Sequence, residues 1–214
     1  MRYLIVCGGK IDKEFGLNEI KTDGIDAIIA ADSGMDFLYE NGVTPDIIVG
    51  DFDSATTKSL EYFERKGQTE IHRLNPIKDD TDTEYAIRLA IREGARSIVL
   101  LGATGSRIDH VLGNISLLGI GLESGTDISI IDTNNRIRMA DKPVTIEKSA
   151  QYGRFVSLIA LTDDNEVSLK CFKYPVTDYS FDRFTSLGIS NEIVDDHALI
   201  DIHRGKFIII ESKD

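Results

Sequence analysis

Two carboxylates, Asp51 and Asp53, follow the apolar run Ile47-Ile48-Val49 within Gly50-Asp51-Phe52-Asp53-Ser54. In an extended backbone, side chains two residues apart point the same way, so the pair could grip one hard cation. Gly50 would let a bulky ligand approach the main chain closely. The same residues also suit a turn or a helix N-cap, and D-x-D by itself leaves both readings open. More acidic residues follow other breaks in the chain. Asp32 follows Ile28-Ile29-Ala30-Ala31, and Asp82 lies in Asp79-Asp80-Thr81-Asp82-Thr83 after Asn75-Pro76. Asp109 follows Leu100-Leu101 and the loop Gly102-Ala103-Thr104-Gly105-Ser106-Arg107. Taken singly, each could cap a helix or interact with its dipole. Gathered together they would repel and raise one another's pKa, so their convergence calls for a cation. An all-oxygen donor set points to Mg²⁺ shared with substrate phosphates. Zinc is disfavoured, because His72, His110, His197 and His203 are scattered without ligand spacing.

The loop from Gly102 to Arg107 joins a β-type run to a helical one. Its N–H groups, including those of Gly102, Thr104 and Gly105, could cradle a phosphate at the helix amino terminus, with Arg107 as a fixed cation. The alternative is a strand-to-helix turn in which glycine only relieves strain. The spacing is not that of a P-loop, and no G-x-G-x-x-G follows the first strand. Neither a G-x-S-x-G elbow nor a reactive-cysteine setting is visible, so covalent catalysis has no evident nucleophile.

The elements that must position these residues alternate in type over the first two thirds of the chain. β-type runs are expected at Tyr3–Cys7, Asp26–Ala31, Asp46–Val49, Ser97–Leu101 and Asp127–Ile131, with a weaker one at Glu70–Leu74. Helices are expected at Gly34–Asn41, Thr56–Lys66, Thr81–Glu93 and Ile108–Glu123, with Gly42, Gly67, Gly94 and Gly125 as C-terminal stops. The clearest helix places Tyr85, Ala86, Leu89 and Ala90 on one stripe. This is the pattern of βαβ units around a parallel sheet, whose ligands bind outside the carboxyl ends of the strands. After about Asn135 helical periodicity ends. Short runs at Val144–Ile146, Phe155–Leu161, Val167–Phe172, Ala198–Ile202 and Phe207–Glu211 predict an all-β domain, with turns at Asp163-Asp164-Asn165 and Arg204-Gly205-Lys206. The expected fold is therefore an α/β nucleotide-binding domain over 1–135 followed by a smaller all-β sandwich over 136–214.

A chain of 214 residues can bury roughly 70% of its unfolded surface, so neither a disulfide nor a structural metal is required for a core. With 24 basic and 36 acidic residues the net charge is -12, which disfavours a nucleic-acid partner. Cys7 and Cys171 have no metal-spaced neighbours and read as small buried residues of a reducing compartment, hence a cytoplasmic setting. The apolar run at Tyr3–Val6 is too short for a signal peptide, and no segment approaches the ~20 apolar residues of a membrane span.

The three acidic and glycine-rich motifs, in this order and roughly this spacing, resemble those of the thiamine pyrophosphokinase family. Lys173-Tyr174-Pro175 followed by Ser186-Leu187-Gly188-Ile189-Ser190-Asn191-Glu192 is similar to the segment with which the family's carboxy-terminal β domain holds thiamine. The resemblance implies transfer of the pyrophosphoryl group of ATP to thiamine, giving thiamine diphosphate and AMP. It also implies a homodimer with active sites between subunits, ATP and Mg²⁺ on the first domain of one and thiamine on the second domain of its partner. By motif match, Asp51, Asp53, Asp82 and Asp109 fall to the metal and phosphate site, Arg107 to the phosphates, and Ser190 and Asn191 to thiamine. Asp32 matches an acidic position the family keeps after its second strand. Two departures stand out: Asp32-Ser33-Gly34 replaces the frequent Asp-Gly-Gly, and the chain has no Trp to stack on thiamine. Tyr174, Tyr179, Phe181 and Phe184 are the candidate substitutes. A divalent-metal phosphoesterase, hinted at by Asp109-His110, and a non-catalytic nucleotide or thiamine sensor are the competing readings.

Overall fold

The computed structural model describes residues 1–52, 56–75 and 80–214. The chain divides into two compact units, Met1–Thr133 and Asn134–Asp214.

The first unit alternates strands and helices: β1 (Arg2–Val6), α1 (Lys13–Ile20), β2 (Ala27–Ala31), α2 (Gly34–Glu40), β3 (Ile47–Gly50), α3 (Thr57–Lys66), β4 (Glu70–Arg73), α4 (Asp82–Arg92), β5 (Ser97–Leu101), α5 (Ile108–Leu117), α6 (Gly119–Ser124) and β6 (Asp127–Ile131). The strands run in the order β6-β5-β1-β2-β3-β4 and every pairing is parallel. Leu4, Ile5, Val6, Ile29, Ala30, Ile48, Val49, Ile98 and Leu100 are buried without alternation, as in a parallel sheet covered on both faces.

The expected strands and three of the four helices are present within a few residues. Two differences have local causes. Helix α1 is not evident from periodicity because it buries only Gly16; it forms on its cap, the Asp12 carboxylate accepting from Phe15 N at 3.0 Å. The helix expected over 108–123 breaks into α5 and α6 at Leu118. There Leu118 N donates to Ile115 O and Gly121 N to Leu118 O, three-residue spacings that tighten the turn. On α4 the buried residues are Ala86, Ile87, Leu89 and Ala90, so Ile87 joins the stripe while Tyr85 stays half-buried.

The second unit is all-β: β7 (Asn135–Ala140), β8 (Val144–Glu147), β9 (Phe155–Ala160), β10 (Glu166–Lys170), β11 (Val176–Ser180), β12 (Asn191–Glu192), β13 (His197–Arg204) and β14 (Phe207–Ser212). Within it β12-β9-β14-β7 form one antiparallel layer and β11-β10-β13-β8 another. Val156, Leu158, Phe207 and Ile209 of the first meet Ile146, Val167, Leu169 and Ile200 of the second in one core. Strand β7 is not among the expected strands: Arg136-Ile137-Arg138-Met139 alternates as a strand does, but its two arginines find their counter-charge only on distant β14. Both arginines donate to fully buried Glu211 of β14, which accepts from Arg136 Nε at 2.9 Å, Arg136 Nη2 at 2.7 Å, Arg138 Nη2 at 2.8 Å and Tyr152 N at 3.0 Å. Among the described residues no helix is long and apolar enough to cross a membrane.

Candidate functional site

Neighbours β2 and β5 lead away from β1 in opposite directions, and such a switch point opens a crevice outside the carboxyl ends of the strands. The loops there are packed backbone against backbone. A Cβ on Gly34 would lie 2.0 Å from Val6 O, and one on Gly9 would lie 2.3 Å from Gly102 O and 2.4 Å from Thr104 O. Gly102 has φ +71°, and Gly9 N donates to its carbonyl at 2.8 Å. Gly8 and Gly9 are not marked by any motif; their only signal in the sequence is a glycine pair directly after the first strand. The loop carbonyl of Ala103 accepts from Asn114 Nδ2 at 2.7 Å, and Thr104 Oγ1 donates to Asp132 Oδ2 at 2.9 Å. Cys7, at the end of β1, is buried, accepts from Thr83 Oγ1 at 3.7 Å, and its thiol is pushed up to about 12 by burial. It is a packing residue, not a nucleophile.

Three carboxylates from three segments meet at this edge. Asp32, Asp51 and Asp82 each offer an oxygen, and these atoms lie within 4.8 Å of one another. The extended backbone expected after Val49 ends early, because β3 stops at Gly50 and Phe52 adopts φ +65°. The Phe52 ring instead packs over Gly50, where a Cβ would lie 3.1 Å from it, and beneath the Arg73 guanidinium at 5.4 Å. Asp51 therefore finds its companions across the sheet edge. Asp53, Ser54, Pro76 and Asp79 lie outside the described residues. Asp82 is not the cap of α4, since Thr81 Oγ1 takes that role by accepting from Glu84 N at 3.2 Å.

Asp32 is the residue most burdened by this arrangement. It holds φ +48°, a left-handed conformation uncommon outside glycine, and its N donates to Val49 O at 2.8 Å. Its Oδ1 is buried without a hydrogen-bond partner among the described residues. Burial pushes its carboxyl above the ordinary range; the Ser33 N–H opposes this, and the charges of Asp82, Asp51 and Asp36 add to it. An orphaned buried oxygen amid converging carboxylates fits a hard, oxygen-preferring cation. No histidine joins the group among the described residues.

Asp109 is placed differently from these three. Arg107 Nη2 donates to its Oδ2 at 2.6 Å and Arg107 Nε to its Oδ1 at 3.3 Å. Both side chains are about two-thirds exposed, at 68% and 66%. The Arg107 hydrogen bond holds the Asp109 carboxyl down to about 2, which makes it a weak base while the pair is intact. Gly105 meets only ordinary contact there, 3.9 Å from Gly9 Cα.

In the second unit Ser190 is exposed, holds φ +60°, and is pinned by its N–H donating to Ser157 Oγ at 2.9 Å. Asn191 is buried, and its amide is committed to the neighbouring chain. Its Oδ1 accepts from Tyr174 N at 3.0 Å and its Nδ2 donates to Tyr174 O at 2.9 Å. Asn191 thus holds the Lys173-Tyr174-Pro175 segment in place. Glu192 accepts from Arg154 at 2.8 Å and Lys173 at 2.9 Å, and these hydrogen bonds hold its carboxyl at about 2. Of the four candidate aromatics, Phe181 belongs to the core, edge-on to Phe207 at 5.9 Å. Tyr174 and Phe184 are 61% and 91% exposed, and Tyr179 is 40% exposed.

Comparison with known proteins agrees along the chain. Residues 21–130 match the family model described as the catalytic domain of thiamin pyrophosphokinase, and residues 143–207 the one described as its vitamin B1 binding domain. Thiamine pyrophosphokinase of Bacillus subtilis is 34% identical over 188 residues, covering 87% of each chain. A crystal structure of the enzyme from that organism superposes with TM-score 0.89 at 31% identity over the whole of both chains. Thiamin pyrophosphokinase from Candida albicans shares the fold at TM-score 0.80 and 21% identity, covering 99% of this chain and 88% of that one.

Proposed function

The chain belongs to the thiamine pyrophosphokinase family, and from that premise we propose that it moves the pyrophosphoryl group of ATP to the hydroxyethyl oxygen of thiamine, giving thiamine diphosphate and AMP. The observation that carries this reading is the meeting of Asp32, Asp51 and Asp82 at the carboxyl edge of the parallel sheet, where the glycine loop also lies.

In the proposed reaction Asp51, Asp53 and Asp82, joined by Asp32, hold Mg²⁺. An ion held by these residues would supply positive charge against the phosphates. The N–H groups of Gly102, Thr104 and Gly105 and the Arg107 guanidinium bind the phosphates. Thiamine's hydroxyl oxygen attacks the β-phosphorus in line, and the bond from that phosphorus to the bridging oxygen of AMP breaks. Arg107 turning to a phosphate releases Asp109, which then orients the hydroxyl or contributes to a second metal site. The hydroxyl proton passes to Asp109 or to solvent. Ser190 contacts thiamine, Asn191 holds the segment that lines it, and exposed Tyr174 or Phe184 supplies the stacking surface that Trp would offer. We take the working form to be a cytoplasmic homodimer, with ATP and Mg²⁺ on the first unit of one protomer and thiamine on the second unit of its partner. Exposed apolar residues in both units, including Ile108, Leu112, Leu187 and Ile189, favour such an assembly.

Incubating the protein with ATP, Mg²⁺ and thiamine tests the reading by product identity. AMP with thiamine diphosphate is the expected result. ADP with thiamine monophosphate places attack at the γ-phosphorus, thiamine-independent phosphate release indicates a hydrolase, and ligand-dependent stabilisation without turnover indicates a sensor; each overturns the proposal.

A further inference from the structure

Asp36 stands outside the three-carboxylate group, in the first turn of the helix that begins just after Asp32. Its carboxylate reaches away from α2 to the start of α3. Oδ2 accepts from Thr56 N at 3.2 Å, and Oδ1 accepts from Thr56 Oγ1 at 2.7 Å and from Ser59 Oγ. Thr56 is the N-cap residue of α3 in extended conformation, yet its side chain makes no capping bond to its own helix. Asp36 instead holds this N-cap residue from another element, through its N–H and its hydroxyl. Ser59 is fully buried, and Thr56 O, 2.9 Å from its Oγ, is an alternative acceptor for its one hydroxyl proton.

These bonds lie at one end of a longer seam. The Tyr39 ring of α2 meets Tyr62 and Phe63 of α3 edge-on, at 5.1 and 6.4 Å between centroids, and Phe63 is fully buried. The α2 start is fixed in turn by the close packing of Gly34 on Val6. In the chain Asp51 directly follows Gly50, the end of β3, and precedes by five residues Thr56, which Asp36 holds.

We propose that Asp36 is a positioning residue for the carboxylate cluster, tying Thr56, five residues after Asp51 in the chain, to the helix that begins just after Asp32, so that the two carboxylates are held at the spacing a divalent cation needs. This rests on the proposed Mg²⁺ site. Three donors on two oxygens suit a carboxylate, because an amide in its place would turn an N–H₂ group toward one of those donors. Its negative charge also adds to the field at Asp32, which favours a cation and disfavours an empty site.

The test compares wild type with Asp36→Ala, Asp36→Asn and Ser59→Ala. Mn²⁺ binding to the substrate-free protein is followed by electron paramagnetic resonance, alongside thermal unfolding and the Mg²⁺ and thiamine dependence of turnover. Loss of the tie to Thr56 is expected to weaken Mn²⁺ binding and raise the half-saturating Mg²⁺ about tenfold in Asp36→Ala, the scale seen when groups that orient metal ligands are removed. Turnover at saturating Mg²⁺ should return to within about threefold of wild type and the thiamine KM should not move, with Asp36→Asn and Ser59→Ala shifted less in the same direction. Variants that melt earlier but bind Mn²⁺ like wild type reduce Asp36 to a helix cap and overturn the proposal. If Asp36→Ala does not fold, unchanged Mn²⁺ binding in folded Asp36→Asn and Ser59→Ala overturns it equally. Wild type that binds no Mn²⁺ overturns the metal reading itself, a result distinct from the first.

Discussion

Replacing Asp32 by Asn separates the two roles a clustered carboxylate can have, because the expected effect on stability reverses sign with the cation. Unit charges 4.8 Å apart repel by roughly 3.5 kcal/mol at an effective dielectric of 20 and by about 0.9 kcal/mol in water. Asp32 faces two such neighbours in a half-buried site, with one buried oxygen unpartnered. Relief of about 1–3 kcal/mol is therefore expected for Asp32→Asn without divalent ions, or about 2–12 °C in melting temperature for a chain of this size. With Mg²⁺ at a hundred times its dissociation constant, wild type gains about 2.7 kcal/mol, and a variant that binds poorly forgoes most of it. Melting curves in EDTA and in Mg²⁺ should thus cross over, the variant being more stable in the first and less stable in the second.

pH gives an independent check. Because burial holds the folded carboxyl above its ordinary value, the folded chain binds this proton more readily than the unfolded chain. Metal-free stability should therefore rise as pH falls from the folded value toward the ordinary one, and Asp32→Asn should lack that contribution. A variant less stable than wild type in EDTA would refute the repulsion argument, and equal Mg²⁺ stabilisation of both proteins would refute the cation.

Three further outcomes follow from the geometry. Glu211→Gln leaves Arg136 and Arg138 without their buried counter-charge and should cost about 3–5 kcal/mol in denaturant unfolding; a shift under about 1 kcal/mol would show the carboxylate to be dispensable. Gly34→Ala drives a methyl group to 2.0 Å from Val6 O and should abolish turnover or folding, whereas Gly42→Ala, a left-handed site with open space around it, should cost only about 1 kcal/mol. Asn191→Ala should raise the thiamine KM and leave the ATP KM unchanged, because its amide holds Tyr174 and nothing in the first unit is altered; equal shifts in both constants would contradict a local role.

The strands of the first unit were legible because a parallel sheet buries both faces, which writes itself into sequence as unbroken runs such as Leu4-Ile5-Val6 and Ile98-Val99-Leu100. Helices α3 and α4 were legible from their amphipathic stripes. Helix α1 was not, since a helix that buries only Gly16 has no periodicity to read. Strand β7 has a strand-like alternation, but the partner of Arg136 and Arg138, Glu211, lies 73 to 75 residues away; no local window contains that pairing.

The candidate site divides along the same line. Residue type and order mark Asp32, Asp51 and Asp82 as acidic residues ending β-type runs or opening a helix, because strand ends and helix starts are local events. Which of them meet is not local. The spacing argument for Asp51 with Asp53 assumed an extended backbone, whereas Phe52 is left-handed and Asp53 lies outside the described residues; pairing of β1 with β2 and of β2 with β3 brings Asp32 to Asp51, a companionship that spacing did not single out. Asp109 matches the same acidic pattern, yet its nearest cation, Arg107, captures it. The sequence by itself determined the inventory of chemistry and the α/β-then-β plan. Only the tertiary structure decided which carboxylates share one place, because that depends on strand order and on which charges neutralise one another across the chain.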